Sequence, residues 1–242
     1  MGENVVLHLA LFRQRALLMA AAAVVIVFIL WNVPAFDFLM YPLRLFVTFV
    51  HEAGHGLAAL ITGGRFDHFV VYSNGAGVAT TSGGARWFIL PSGYLGAAVF
   101  GALLLYLVNT LPFPKTLALT VALFLAVITL LFTDFLTTAF LVGLGFAVVL
   151  VLIWRFGDRG FAMLILNVLA MITALNAVLD LFSLVDNSGA TLGNINNDAA
   201  AFSREIAPLV PPVVWALLWC AIAAALLLAA IYYGILRRIK AV

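Results

Sequence analysis

Charged side chains are scarce in this sequence. Of its 242 residues, only 9% are charged and 66% are hydrophobic, whereas soluble domains are about a quarter charged and about half apolar. Twelve basic and ten acidic side chains are too few to face water over the whole surface of such a chain. This scarcity excludes an ordinary soluble domain and predicts an all-α polytopic membrane protein. The net charge of +2 also argues against a nucleic-acid partner.

Cysteine and internal repeats are also missing. The single cysteine, Cys220, excludes an intramolecular disulfide framework and any metal site built from several thiolates. The sequence has no repeat of fixed period and no low-complexity tract beyond helices rich in Ala, Leu and Val. The absence of paired inverted repeats argues against a secondary transporter.

Long apolar runs are what the sequence has in abundance. Hydropathy predicts about seven transmembrane helices, and six is the alternative if residues 116–154 cross the membrane once. The predicted spans are 16–36, 42–62, 87–108, 116–133, 136–154, 161–184 and 213–236. They leave no extramembrane segment of domain size, so residues 1–242 are expected to form a single membrane-embedded domain.

Two connecting segments are long enough to carry structure. In residues 63–86, two short β-prone runs, 69–72 and 78–81, flank an Asn-Gly turn and predict a β-hairpin. Residues 185–212 form a polar loop that ends in a run of prolines. A short helix capped by Asn197 or Asp198 fits within this polar loop.

One polar motif interrupts the second predicted span, the helix at 42–62. His51 and His55 lie four residues apart, on one face of a helix, so both imidazoles can reach one Zn²⁺ ion. Glu52 lies beside that face, where its carboxylate can accept a proton from water and pass it to a leaving amine. Only about 0.0008 such motifs are expected by composition, and ionisable residues inside a span mark functional sites. The alternative is a polar cluster that only joins helices by hydrogen bonds.

These residues resemble the site-2 protease family of intramembrane zinc metallopeptidases. The resemblance rests on the metal motif, on Gly63-Gly-Arg65 with the glycine-rich hairpin, and on Pro91-Ser-Gly-Tyr-Leu-Gly96. It covers residues 40–105 strongly and 175–220 more weakly. It implies a zinc metalloendopeptidase that hydrolyses peptide bonds in or near transmembrane segments of membrane proteins, with Glu52 as the catalytic base. It also implies that an extended substrate pairs with a β-edge, here the hairpin at 69–81.

A catalytic zinc ion needs a third protein ligand. The resemblance implies an Asp on a later helix in an Asn…Leu-Asp-Gly context, and the matching segment is Asn176-Ala-Val-Leu-Asp180, with Leu181 in place of the glycine. We therefore expect His51, His55 and Asp180 to hold Zn²⁺, with Asp180 on the helix at 161–184. Asn176 lies one turn before Asp180 and is expected to orient its carboxylate or to bind the substrate.

Three other acids are alternatives to Asp180. Asp134 lies in the break between two predicted spans and Asp186 lies just past its helix, so interfacial positions are favoured for both. Asp198 is the strongest alternative, because the start of a loop helix could fold over the site, although Asp198 also fits as an N-cap. Asp180 is preferred because an acid within an apolar span is otherwise hard to explain.

Two functions remain to be separated. The alternative to the peptidase is a non-proteolytic membrane protein of the same fold that uses the metal structurally or binds client helices. Glu52 favours the peptidase, because a structural metal site has no use for a base. The expected partners are a transmembrane protein substrate and the lipid bilayer, with a regulatory membrane partner left open. The expected location is the cell membrane of a prokaryote.

Overall fold

The structure is a computed structural model that describes residues 2–186 and 197–237. The side chains of residues 2–10 and 183–186 are not described. Residues 187–196, which belong to the predicted polar loop, therefore lie outside the described residues, as does the side chain of Asp186.

The described part of the chain contains nine α-helices and one two-stranded sheet. The helices are α1 Gly2–Asn32, α2 Asp37–Ile61, α3 Arg86–Ile89, α4 Ser92–Thr110, α5 Pro114–Phe132, α6 Thr138–Phe156, α7 Arg159–Asp186, α8 Asp198–Glu205 and α9 Pro212–Ile231. The strands are β1 Arg65–Val71 and β2 Gly77–Ser82. A single 3₁₀ turn, Pro34–Phe36, links α1 to α2, and a π-helical turn, Tyr232–Leu236, follows α9.

Several helix ends follow from local sequence. Pro114 and Pro212 occupy the first positions of α5 and α9, where the missing N–H has no helical partner to lose. Thr137 caps α6, and its hydroxyl accepts a hydrogen bond from the amide of Phe140. Such caps satisfy amides that the helix itself leaves unpaired.

Six of the described helices are long and apolar enough to cross a membrane. They span Leu11–Asn32, Ser92–Thr110, Pro114–Phe132, Thr138–Phe156, Arg159–Phe182 and Pro212–Leu236. The predicted polytopic all-α architecture is thus confirmed. Residues 116–154 form two of these six helices, α5 and α6, and not the single crossing on which the alternative count of six depends. The predicted span at 42–62 falls outside this set because the polar motif residues lower the mean hydropathy of α2. With 25 residues, α2 is still about 37 Å long.

The predicted span at 87–108 is broken into two helices. Residues Arg86–Ile89 form α3, and Pro91 separates them from α4, which begins at Ser92. The break has a simple cause, because Pro91 has no N–H to donate to a helical carbonyl one turn earlier. It brings the short helix α3 close to the end of α2.

The most enclosed helix is α7, which packs against α1, α4 and α9. Two thirds of its apolar span is buried (67%), against 28% for α1, α6 and α9. A polar contact joins α7 to α4, since the side-chain amide of Asn109 donates a 2.7 Å hydrogen bond to Oδ1 of Asn167. Both asparagines are buried, so the bond fixes how these two helices meet.

The predicted hairpin is confirmed. Strands β1 and β2 pair antiparallel, with Phe69 opposite Ala79 and Val71 opposite Gly77. In the turn, Gly75 adopts a positive φ of 91° and the amide of Ala76 donates to the side chain of Asn74, as expected for an Asn-Gly turn. The hairpin packs against α2 and so lies beside the metal motif.

The predicted short helix in the polar loop is confirmed as α8. Asn197 is its N-cap, and its side-chain carbonyl accepts a 2.8 Å hydrogen bond from the amide of Ala200. Phe202 of α8 packs on Trp215 and Trp219 of α9 at ring-centroid distances of 4.6 and 5.5 Å. These aromatic contacts dock α8 onto the first turns of α9.

Candidate metal centre

Helix α2 brings two imidazoles together. His51 and His55 are one turn apart, and their Nε2 atoms lie 3.1 Å from each other. The two rings meet edge to face with centroids 4.8 Å apart. The spacing of four residues thus places both nitrogens on one face, as the sequence predicts.

Helix α8 supplies a third donor to the same point. Oδ2 of Asp198 lies 3.2 Å from Nε2 of His51 and 3.3 Å from Nε2 of His55. In tetrahedral zinc sites, metal–ligand distances of about 2.0–2.1 Å put neighbouring donor atoms about 3.3–3.4 Å apart. The three edges of this triangle, 3.1, 3.2 and 3.3 Å, match that spacing. The residues present therefore fit a zinc ion.

The outer nitrogen of His55 is held by the backbone. Its Nδ1 lies 2.7 Å from the carbonyl oxygen of Ile89, at the end of α3. A carbonyl can only accept, so Nδ1 carries the proton and donates it, which leaves the Nε2 lone pair of neutral His55 available. This arrangement of a ligand histidine and an outer carbonyl is the usual one in metal sites.

Gly93 leaves open the space that a metal would occupy. A Cβ atom added at Gly93 would collide with Nε2 of His51 and Nε2 of His55 together. The first turn of α4 can therefore approach the two imidazoles only because residue 93 has no side chain. Helix α4 also approaches α2 at Gly54, where an added Cβ would overlap the backbone of Ser92.

Glu52 lies beside the three donors without joining them. The group of donor atoms that lie within 4.8 Å of one another consists of His51, His55 and Asp198. The carboxyl side chain of Glu52 is buried and lies against the start of β2, where a Cβ at Gly77 would collide with its Oε1 atom. Glu52 is thus a carboxylate next to the donor triangle that is not used for ligation.

A cavity of about 520 Å³ opens over this cluster. Tyr94 and Asp180 line it together with Glu52 and the three donors, and β2 contributes its first residues. The Tyr94 ring stands edge-on to the His51 imidazole at a centroid distance of 4.5 Å. This volume lies within the range of ligand-binding clefts.

Asp180, the predicted third ligand, lies elsewhere in the same cavity. It lines the wall, but its carboxylate is not part of the donor group. The amide of Asn176 donates a 2.9 Å hydrogen bond to Oδ2 of Asp180, which is one of the two roles predicted for Asn176. The geometry of the donors favours Asp198, the alternative, over Asp180. Among the other rivals, Asp134 is exposed in the turn between α5 and α6.

Three side chains at or beside the site were not predicted: Tyr94, Arg86 and Glu205. Tyr94 stands within Pro91-Ser-Gly-Tyr94, which the sequence offered only as part of a family resemblance. Arg86 and Glu205 form a two-pronged ion pair at the rim, with distances of 2.8 and 2.9 Å. No local pattern signals this pair, because 119 residues separate its members.

Charges at the rim stabilise two carboxylates of α8. Burial opposes ionisation of Asp198, but the interaction of its carboxylate with the His55 and His51 imidazoles outweighs burial and holds the pKa of Asp198 below its usual value. The hydrogen bonds from Arg86 lower the pKa of Glu205 in the same way. Both groups are therefore carboxylates at neutral pH.

Comparison with known proteins finds a family match over most of the chain. A family model described as Peptidase M50B-like matches residues 20–230. The matched region includes the three donors His51, His55 and Asp198, together with Glu52 and Asp180. No curated protein and no solved structure matches the chain.

Proposed function

Because the chain belongs to the Peptidase M50B-like family, we propose that it is an intramembrane zinc metalloendopeptidase. Its substrates are peptide bonds in or near transmembrane segments of other membrane proteins. The observation that carries this proposal is the triangle of His51, His55 and Asp198, with Glu52 buried next to it and unligated. Zinc ligands and a separate base are the two things that such hydrolysis requires.

Zinc held by His51, His55 and Asp198 would polarise the scissile carbonyl and make a water acidic enough to react at neutral pH. Glu52 would accept the proton of the attacking water as its oxygen adds to the carbonyl carbon. When the C–N bond breaks, Glu52 returns that proton to the departing nitrogen, so the product is a neutral amine. The buried carboxylate suits this exchange because water does not compete for its proton.

The surroundings of the cavity support a membrane-embedded, extended substrate. Strand β2 lines the cavity beside Glu52, and among the described residues it pairs only with β1. Its other edge can therefore accept main-chain hydrogen bonds from an extended peptide. Two helices that are apolar enough to span a membrane, α4 and α7, carry Tyr94 and Asp180 of the cavity wall, so the cavity lies beside candidate membrane spans.

The alternative, a non-proteolytic protein with a structural metal, has no use for Glu52. The test compares strains that carry the wild-type chain or Glu52→Gln, by quantitative mass spectrometry of new N-termini in their membrane proteins. We expect at least one membrane protein to stay uncut in the Glu52→Gln strain. Asp134→Asn, which removes an exposed acid that does not line the cavity, is the matched control and should behave as wild type. Identical N-termini in all three strains would contradict proteolysis.

A further inference from the structure

The proposed third zinc ligand is carried by a short helix, α8. Helix α8 has only eight residues, and isolated helices of that length are unstable in water. The position of Asp198 must therefore come from contacts between α8 and the rest of the molecule. The structure shows two such sets of contacts, one with the region of α9 and one with α2 and α3.

One face of α8 docks onto the region of α9. Phe202 packs on Trp215 and Trp219, and the hydroxyl of Ser203 donates to the carbonyl of Val210. These contacts hold the second half of α8 against the region of α9. They do not by themselves set how close Asp198, in the first turn, comes to His51 and His55.

Asp198 and Glu205 make the second set of contacts. These two acids are seven residues apart, which is two helical turns, so they point in the same direction. Asp198 meets the imidazoles of α2, and Glu205 meets the guanidinium of Arg86. One ligand contact and one ion pair therefore fasten the two ends of the same face.

The Arg86–Glu205 ion pair is bidentate, with the fork-like geometry of a guanidinium facing a carboxylate. Nε of Arg86 lies 2.8 Å from Oε2 of Glu205, and Nη2 lies 2.9 Å from Oε1. Two parallel charge-assisted hydrogen bonds fix an orientation as well as a distance. A lysine could keep the charge but not this orientation.

Arg86 is the first residue of α3, and the last residue of the same short helix contacts His55. At one end of α3, Ile89 accepts the hydrogen bond from Nδ1 of His55. Just before the other end, the amide of Ala85 donates to the hydroxyl of Thr62, which ties α3 to the end of α2. Helix α3 thus contacts the side chain of His55 through Ile89 and the helix that carries Asp198 through Arg86.

We propose that Arg86 is a positioning residue for the metal site, whose fork to Glu205 holds α8 so that Asp198 stays on the zinc ion. The inference rests on the proposed ligation of zinc by Asp198. Arg86 touches neither metal nor substrate in this role, and acts only through the placement of α8.

The expected effect on zinc binding is moderate. The pair is about half exposed, with side-chain exposures of 46% and 42%, and exposed pairs contribute little by themselves. Outer-shell residues of metal sites, however, typically change metal affinity by about 10- to 100-fold. Between these limits, we expect Arg86→Met to weaken zinc binding by about 3- to 10-fold.

The experiment measures the zinc affinity of the purified full chain by competition with a chromophoric chelator. Arg44→Met is the matched control, since Arg44 also pairs with an acid, Asp37, on an exposed surface, and it should bind zinc as wild type does. Arg86→Glu should weaken binding further by repelling Glu205. The swapped pair Arg86→Glu with Glu205→Arg should restore the affinity to within about twofold of wild type.

Two more measurements separate positioning from a general loss of structure. The visible spectrum of the Co²⁺-loaded protein should change in Arg86→Met, because the spectrum reports ligand geometry. Arg86→Lys, which keeps the charge and loses the fork, should fall between wild type and Arg86→Met. Wild-type affinity in Arg86→Met, or a swapped pair no better than its single variants, overturns the inference.

The inference and the proposed function can fail separately. Weaker zinc binding in Arg86→Met combined with an absence of cleavage by wild type supports the positioning role and contradicts the peptidase. Unchanged zinc binding in Asp198→Ala overturns the positioning role, because α8 would then carry no ligand to hold.

Discussion

Oδ2 of Asp198 lies 3.2 Å from Nε2 of His51, although the two residues are far apart in the sequence. His51 reaches this point from the middle of α2, and Asp198 reaches it from the first turn of α8. The metal centre is therefore assembled by the docking of α8, and its ligands can be tested one at a time.

The third ligand is the first point to test. Asp198→Ala should lower zinc affinity by more than about 100-fold, because it removes a donor, whereas outer-shell changes alone cost about 10- to 100-fold. Asp180→Ala should stay within about threefold of wild type, because Asp180 lines the cavity without joining the donors. Zinc competition on the purified variants measures both. The reverse order of the two variants would restore Asp180 as the ligand.

The absence of a side chain at Gly93 gives a second prediction. Gly93→Ala should abolish stoichiometric zinc binding, because the new methyl group would fill the space between the two Nε2 atoms and Gly93. Gly145→Ala is the control, since a Cβ at this helical glycine meets nothing within 4 Å. Metal analysis after purification in zinc-containing buffer measures the zinc content of both variants. A full zinc content in Gly93→Ala would show that the metal does not sit between these atoms.

Zinc should also stabilise the fold. Free zinc at 100 times its dissociation constant adds about 2.7 kcal/mol to the free energy of unfolding when only the folded state binds it. The midpoint of thermal unfolding should therefore rise with zinc in wild type and fall again with a chelator. In His51→Ala the midpoint should not respond to zinc. An equal response in both proteins would mean that zinc stabilises the chain at some other site.

The ion pair of Arg86 and Glu205 should not titrate near neutral pH. The hydrogen bonds from Arg86 lower the pKa of Glu205 from 4.5, so the stabilisation is present above the unfolded pKa and is lost as the pH falls through the folded pKa. The ratio of zinc affinities between wild type and Arg86→Met should therefore be constant from about pH 6 to 8. Affinity titrations at several pH values measure the ratio. A ratio that drifts across this interval would mean that another group holds α8.

The local parts of this site could be read from the sequence. Two histidines four residues apart and an adjacent glutamate define one helix face wherever the helix lies, so His51, Glu52 and His55 follow from the motif alone. The hairpin follows from its Asn-Gly turn, and α8 follows from its cap. In contrast, the prediction of one unbroken span at 87–108 is wrong, although Pro91 is a local signal for the break between α3 and α4.

The choice between Asp180 and Asp198 depends on tertiary contacts. Both acids lie in sequence surroundings that fit a ligand, and both line the cavity. What separates them is the docking of α8 through Phe202 on α9 and through Arg86 on α3. Those contacts join residues far apart in the chain, and no periodicity or spacing encodes them.

The central claim is that Glu52 performs the proton transfers of peptide hydrolysis at this metal site. The most direct measurement reconstitutes the purified chain in lipid vesicles with a membrane protein that stays uncut in the Glu52→Gln strain. Wild type and Glu52→Gln should contain equal zinc, because Glu52 is not among the donors. We predict that wild type cuts this protein and that Glu52→Gln cuts it at least about 100-fold more slowly. Equal cleavage by the two zinc-loaded proteins would contradict the account.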